Sequence, residues 1–368
     1  MVQGLILAMA AGAIVSLLNA VLLVATQSRH GRFSLDVTHG VQKFHATPTP
    51  RIGGIAIVAG LVAALLALRQ DLLLTILVAS APAFLVGLAE DLTKRVSVSA
   101  RLAATLVSSL IASLLTGVTL TRLDFIGLDL LLAYYPISIL FTAFAVSGVA
   151  NAYNIIDGFN GLAGGVVLIT LGALAAVAAQ VGDTELVGVC LVLMGVSVGF
   201  LALNFPFGKI FLGDGGAYLL GFMVAWVAVL LPMRNPAVSG WASLLACGYP
   251  ILETLFSIRR KSKRQGSHPG QPDRVHLHML LYRRVSRRLY PHCTLPLQNA
   301  LTSPFAWAFA LLPASIAVVW PTSTPVLVGG FLLSACVYWA IYLRLTQFRW
   351  CLVPQARLPR EIAGAQRL

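Results

Sequence analysis

Long apolar runs separated by short polar breaks dominate this chain. Eleven runs stand out, at 2–26, 52–69, 72–89, 102–120, 131–150, 161–181, 186–204, 215–233, 240–258, 304–321 and 325–343. Each is close to the ~20 residues that a helix needs to cross the hydrocarbon of a bilayer. The runs do not alternate apolar with polar, and a spanning segment must satisfy its backbone internally, so each predicts a helix. The expected fold class is all-α: a polytopic membrane protein with about eleven transmembrane helices. The first run is too long for a signal peptide and has no basic leading region, which predicts a retained helix.

The charges orient these helices. With the N-terminus periplasmic and the C-terminus cytoplasmic, only Arg69, Arg122 and Arg234 of the 26 Lys and Arg residues fall outside. That asymmetry is the bias expected of cytosolic loops, and it accounts for the net charge of +13 without nucleic acid. Residues 1–346 read as a single transmembrane domain, with 347–368 as a cytosolic tail. The polar stretches 39–54, 90–101, 151–161, 204–216 and 259–298 then all face the cytosol. The five cysteines are scattered without metal or redox spacing and read as inert.

Residues 151–165, NAYNIIDGFNGLAGG, interrupt the apolar pattern most sharply. Asn151, Asn154 and Asp157 are spaced i, i+3, i+6, so a helical turn puts them on one face. The glycines that follow permit close backbone approach. Polar groups are costly in hydrocarbon, so the stretch is expected to hold a cation and an anionic ligand.

Four further stretches carry chemistry. In HGVQKFHATPTPRIGG, residues 39–54, Lys43, His45 and Arg51 are donors, and Gly53 and Gly54 open a helix whose N-terminus can hold an anion. A phosphate cradle and a basic loop touching lipid head groups both fit this pattern. Glu90 and Asp91 are adjacent carboxylates at the end of a run, suited to a divalent cation or to proton transfer, and equally to a helix end meeting water. Asp214 lies among glycines in NFPFGKIFLGDGG, residues 204–216, as a cation ligand or a turn residue. His276 and His278 alternate in HPGQPDRVHLHMLLYRR, where no third ligand supports zinc. Glu253 is either functional or paired with Arg259 and Arg260. Carboxylates and amides together with many cationic donors suit phosphoryl transfer, and no Walker or kinase-type loop is present to bring ATP.

Taken together, KFHATPTPRIGG, the acidic pair of GLAED, NAYNIIDGFNGLAGG, FLGDGG and PDRVHLHM, in that order over residues ~40–290, resemble the polyprenyl-phosphate N-acetylhexosamine-1-phosphate transferase superfamily, glycosyltransferase family 4. The resemblance implies a bacterial inner-membrane enzyme with its active site facing the cytoplasm. It implies transfer of a HexNAc-1-phosphate from a UDP-sugar to undecaprenyl phosphate, release of UMP, and dependence on Mg²⁺ or Mn²⁺. By position, Asp214 and Asn154 match the metal-associated residues, and Asp91 with Glu90 the acidic pair assigned to deprotonation or to the metal region. Lys43 and Arg51 match the phosphate-binding segment (with His45 between them), Asp157 and Asn160 (with Asn151 nearby) the nucleotide side, and His276 and His278 the histidine motif. PDR followed by HLH is similar to the GlcNAc-1-phosphate branch.

The chain departs from the family pattern at Glu90 and Asn160, where Asp is usual, at Ala217 in GDGGA, where Ser is usual, and at Met279, where a further His is common. The alternatives are a peptidoglycan-precursor transferase of the same superfamily, a scaffold that has lost activity, and an anionic-metabolite transporter. Transporters place their ionisable groups near the bilayer midplane rather than at span ends. A homodimer is the candidate assembly.

Overall fold

The computed structural model describes residues 2–36, 48–262 and 275–347. Helices make up nearly all of it, and the sheet is a single pair, Leu35–Asp36 antiparallel to Thr49–Pro50. All eleven predicted runs fold as helix. Eight of the described helices are long and apolar enough to cross a membrane, and two bent pairs bring the number to ten. The remaining run, 52–69, forms Gly53–Ala67, whose 15 residues reach only about 22 Å. The expected eleven spans therefore become eight to ten, because this helix is shorter than its apolar run.

Helix Gly213–Arg234 is the centre of the bundle. It is apolar on every side, as a helix surrounded by others must be, and almost all of its residues are buried. Gly53–Ala67, Ala81–Thr93, Tyr135–Ile156 and Leu162–Gln180 pack around it. The first helix, Val2–Ala25, packs on Gly53–Ala67 and Thr184–Asn204, where the buried Ser16 hydroxyl donates to the Val196 carbonyl at 2.8 Å.

The two bends have chemical causes. Helices Asp71–Ala79 and Ala81–Thr93 meet at 47°, just before Pro82, which has no N–H for the carbonyl four residues back. Helices Gly240–Ala246 and Gly248–Ser262 meet at 77°. Here Pro250 leaves the Ala246 carbonyl without its helical donor, and the Thr170 hydroxyl takes that place at 3.2 Å. Thr170 in turn accepts from the Tyr153 hydroxyl at 2.7 Å.

The end predicted to lie outside is braced by its own charges. Arg234 bonds Asp183 at 3.0 Å and Glu185 at 2.8 Å, and Arg122 donates to the Pro232 and Val238 carbonyls. Asp124 accepts from Ser239 and Thr324. Two of the three basic residues set apart by the charge pattern thus act as clasps between helix ends. Arg51, Arg101, Asn154 and Asp214, from four of the polar stretches, meet at the opposite end of the central helix.

Candidate active site

The site is built on the N-terminus of Gly213–Arg234. Asp214 lies in the first turn of this helix and is nearly inaccessible. Its Oδ1 accepts from the Arg51 guanidinium and from Asn154 Nδ2, the latter at 3.1 Å, and its Oδ2 accepts from Arg101. Four segments meet at one carboxylate: the loop before Gly53–Ala67, the start of Val98–Thr116, the last turn of Tyr135–Ile156 and the central helix.

Asp91 makes this meeting possible. It is completely buried on Ala81–Thr93, and its two oxygens accept from the backbone amides of Asp214 and Gly215, each at 2.8 Å. A carboxylate on the first amides of a helix satisfies donors that have no partner within the helix and opposes the positive end of its dipole. Arg51 Nε lies 3.3 Å from Asp91 Oδ1, so one arginine joins both acids. Burial works against the Arg51 charge, and Asp214 and Asp91 more than offset it, which holds the guanidinium firmly protonated.

Close approach of backbones sets the spacing. A Cβ at Gly87 would lie 2.7 Å from the Gly215 nitrogen and 2.8 Å from the Asp214 carbonyl oxygen. A Cβ at Gly54 would lie 2.5 Å from the Gly216 nitrogen. No larger side chain fits at either contact without displacing the helix end that carries Asp214.

Arg51 is fixed by its own backbone. Its amide donates to the Ser34 carbonyl at 2.8 Å, and the neighbouring Pro50 carbonyl accepts from Phe211. The Gly53 and Gly54 amides donate to the Phe211 and Leu212 carbonyls at 2.9 and 3.1 Å. The expected anion site at this helix N-terminus is therefore corrected. Its leading amides hold the 211–212 backbone, and the glycines serve packing. Lys43 and His45 lie outside the described residues.

The polar face predicted for 151–157 forms, because Tyr135–Ile156 continues through Asn151 and Asn154 and ends with Asp157 as its C-cap. Asn151 Oδ1 accepts from Tyr218 at 3.2 Å. The Asp157 carboxyl is pushed up to about 7, first by burial and then by the Asp214 and Asp91 charges, with Arg51 opposing. Asn160 is nearly buried in the turn that follows. Its amide donates to Asn299 at 2.8 Å, and its carbonyl accepts from Ser303 at 2.6 Å. Glu90 accepts from the Val96 amide at 2.7 Å, which holds the turn after Ala81–Thr93.

His276 and His278 are both buried, with rings stacked at 5.3 Å. His278 meets the Phe159 ring edge-on at 5.7 Å, so the histidine segment lies beside the 157–160 turn. Glu253 is paired as the sequence allowed, with Arg260 at 3.5 Å, and also with His276.

Arg101 is the residue that the sequence reading missed. In sequence it is only one of many cytosolic basic residues. Its position in the first turn of the helix after the acidic pair is the local signal, but its contact with Asp214 exists only in the folded bundle.

Residues 73–232, which carry Glu90, Asp91, Arg101, Asn154, Asp157 and Asp214, match the family model described as glycosyl transferase family 4. The chain is 29% identical over 248 residues to the probable undecaprenyl-phosphate N-acetylglucosaminyl 1-phosphate transferase of Bacillus subtilis, covering 64% of this chain and 66% of that relative. It is 27% identical over 254 residues to the undecaprenyl-phosphate alpha-N-acetylglucosaminyl 1-phosphate transferase of Yersinia pestis, covering 66% and 68%. It is 30% identical over 267 residues to the decaprenyl-phosphate N-acetylglucosaminephosphotransferase of Mycobacterium tuberculosis, covering 64% and 65%. The matched region thus spans about two thirds of the length of these relatives.

Proposed function

We propose that this protein transfers a HexNAc-1-phosphate, GlcNAc-1-phosphate first among the candidates, from a UDP-sugar to undecaprenyl phosphate at the cytosolic face of a bacterial inner membrane. The observation that carries the reading is the convergence of Arg51, Arg101 and Asn154 on the Asp214 carboxylate, at the helix end capped by Asp91. In the reaction, a lipid-phosphate oxygen bonds to the β-phosphorus of the UDP-sugar. The bond from that phosphorus to the bridging oxygen breaks, and UMP leaves with the electron pair. Catalysis of this kind is mainly positioning and charge neutralisation.

The donor set fits Mg²⁺. This ion takes one or two carboxylates and completes its octahedron with water and substrate phosphate. Among the described residues no group of three or more His, Cys, Asp or Glu could hold a metal, so a fully protein-made cage is absent there. Asp214 and Asp157, whose charges act on each other, would hold the ion with Asn154 beside them. When bound, it would supply positive charge to the pyrophosphate. Arg51 and Arg101 would exchange the Asp214 carboxylate for phosphate oxygens and neutralise charge as it moves to UMP.

Asp91 has both oxygens committed to backbone amides, so we assign it to positioning. Asp157 is kept for the cation, and much of the lipid phosphate is already ionised at neutral pH, so no separate base is assigned. Lys43 and His45 are assigned to the phosphates, and Asn151, Asn160, His276 and His278 to the nucleotide side. No homodimer is proposed.

The test uses full-length protein in detergent with UDP-[³H]GlcNAc, undecaprenyl phosphate and Mg²⁺. Labelled lipid should form with stoichiometric UMP, and Asp214→Asn should abolish both. A wild type that yields no lipid product with any UDP-HexNAc would defeat the reading, and a panel of UDP-sugars names the substrate.

A further inference from the structure

A second buried acid is fully engaged away from Asp214. Glu253 lies on the second limb of the bent helix, Gly248–Ser262, with no exposed surface. Its Oε1 bonds His276 Nδ1 at 2.8 Å and lies 3.5 Å from Arg260 Nη2. Its Oε2 accepts from the Leu277 amide at 3.1 Å and from the Tyr338 hydroxyl at 2.9 Å. One carboxylate thus joins three elements distant in sequence: the bent helix, the histidine segment and the last helix, Thr324–Thr346.

The geometry also has a direction. A carboxylate on Nδ1 keeps a proton on that nitrogen and fixes the ring plane, and it leaves Nε2 as the nitrogen whose state can vary. The amide of Leu277, which opens the short helix Leu277–Leu281, is held by the same group, so ring and backbone are seated together. His276 stacks on His278 with an interplanar angle of 5°. A Cβ on Gly158 would lie 3.4 Å from His278 Nε2, so the stack abuts the turn that begins at Asp157.

We infer that Glu253 is a positioning residue for the transfer reaction. Acting through His276, it seats the histidine segment against the 157–160 turn, and Tyr338 ties that seat to the last helix. This inference rests on the reading above that places the nucleotide beside these residues. A carboxylate that merely plugs a gap between helices would affect stability alone. A positioning carboxylate affects the state of the His276 ring and the binding of the sugar nucleotide.

The experiment compares wild type with Glu253→Gln, Glu253→Asp and Tyr338→Phe, each full length in nanodiscs. It reads the His276 ring-nitrogen signals by ¹⁵N NMR, the UDP-GlcNAc dissociation constant by calorimetry, and KM against kcat. In Glu253→Gln the carboxamide must present a donor to at least one of the groups now donating. The His276 signature should change, and KM and Kd should rise about tenfold with a smaller change in kcat. Glu253→Asp should recover part of the signature and the affinity, and Tyr338→Phe should leave the signature intact with a smaller rise in KM. Unchanged ring signals and unchanged affinity in Glu253→Gln, with only a lowered melting temperature, would overturn the inference. If Glu253→Gln does not fold, the same readouts on Glu253→Asp and Tyr338→Phe decide. If wild type binds UDP-GlcNAc but forms no lipid product, the functional reading fails alone, and the binding and NMR arms still judge Glu253.

Discussion

The carboxylate of Asp91 accepts the amides of Asp214 and Gly215 at 2.8 Å each, so one acid builds the helix end on which the other stands. The two side chains look alike in sequence, and they have opposite occupations. Asp91 gives both oxygens to backbone donors and shares only Arg51 with its neighbour, whereas Asp214 accepts from two arginines and an amide, all side chains.

Asp214→Asn should therefore cost activity rather than folding. Its carboxamide still accepts from one arginine, but it cannot balance two. Turnover of UDP-GlcNAc should fall by about a hundredfold or more, with a melting temperature close to wild type. A variant that retains a tenth of wild-type turnover would remove Asp214 from the machinery.

Asp91→Asn should behave the other way at first order. The carboxamide places a donor against an amide that needs an acceptor, a buried mismatch worth about 2 kcal/mol. Thermal unfolding in detergent should shift down clearly. A turnover loss with an unshifted melting curve would instead return Asp91 to the chemistry.

Gly87→Ala tests the close approach. The added methyl meets the Gly215 nitrogen and the Asp214 carbonyl oxygen at 2.7 and 2.8 Å, so the helix end has to move. Overpacking of this kind costs about 1–3 kcal/mol, and the displacement of Asp214 should lower kcat as well. Normal kcat together with a normal melting temperature would show that the contact is slack.

The pH dependence of stability should report Asp157. Its pKa rises on folding from the ordinary 3.8 to about 7, so the native state binds the extra proton between those values. Its contribution to stability is complete below about pH 4 and is lost as pH rises through 7. Metal-free wild type should lose melting temperature from pH 5 to 8 more steeply than Asp157→Asn. Mg²⁺ should restore more of it at pH 8 than at pH 5, because the ion and the proton compete for one carboxylate. Parallel curves for the two proteins would refute the assignment.

Arg234→Ala is the control at the far end of the bundle. It breaks a partly exposed clasp to Asp183 and Glu185, a contact worth about 1 kcal/mol or less. A small drop in melting temperature with unchanged turnover is expected. A large loss of turnover would mean that the two ends of the bundle communicate.

The all-helical membrane fold was legible in sequence, because the bilayer imposes a length and an apolar composition that local residues alone must meet. The common end of 90–101, 151–161 and 204–216 was legible for a similar reason, since successive crossings alternate direction. The polar face of Asn151, Asn154 and Asp157 was read from helical spacing and holds in the fold. Only the tertiary structure decided which acid caps and which receives cations. It alone brought Arg101 to Asp214, spent the Gly53 and Gly54 amides on the 211–212 backbone, and joined Glu253 to His276 and Tyr338. Those outcomes depend on which carbonyls and amides meet across packed helices, and no local pattern of residue types carries that information.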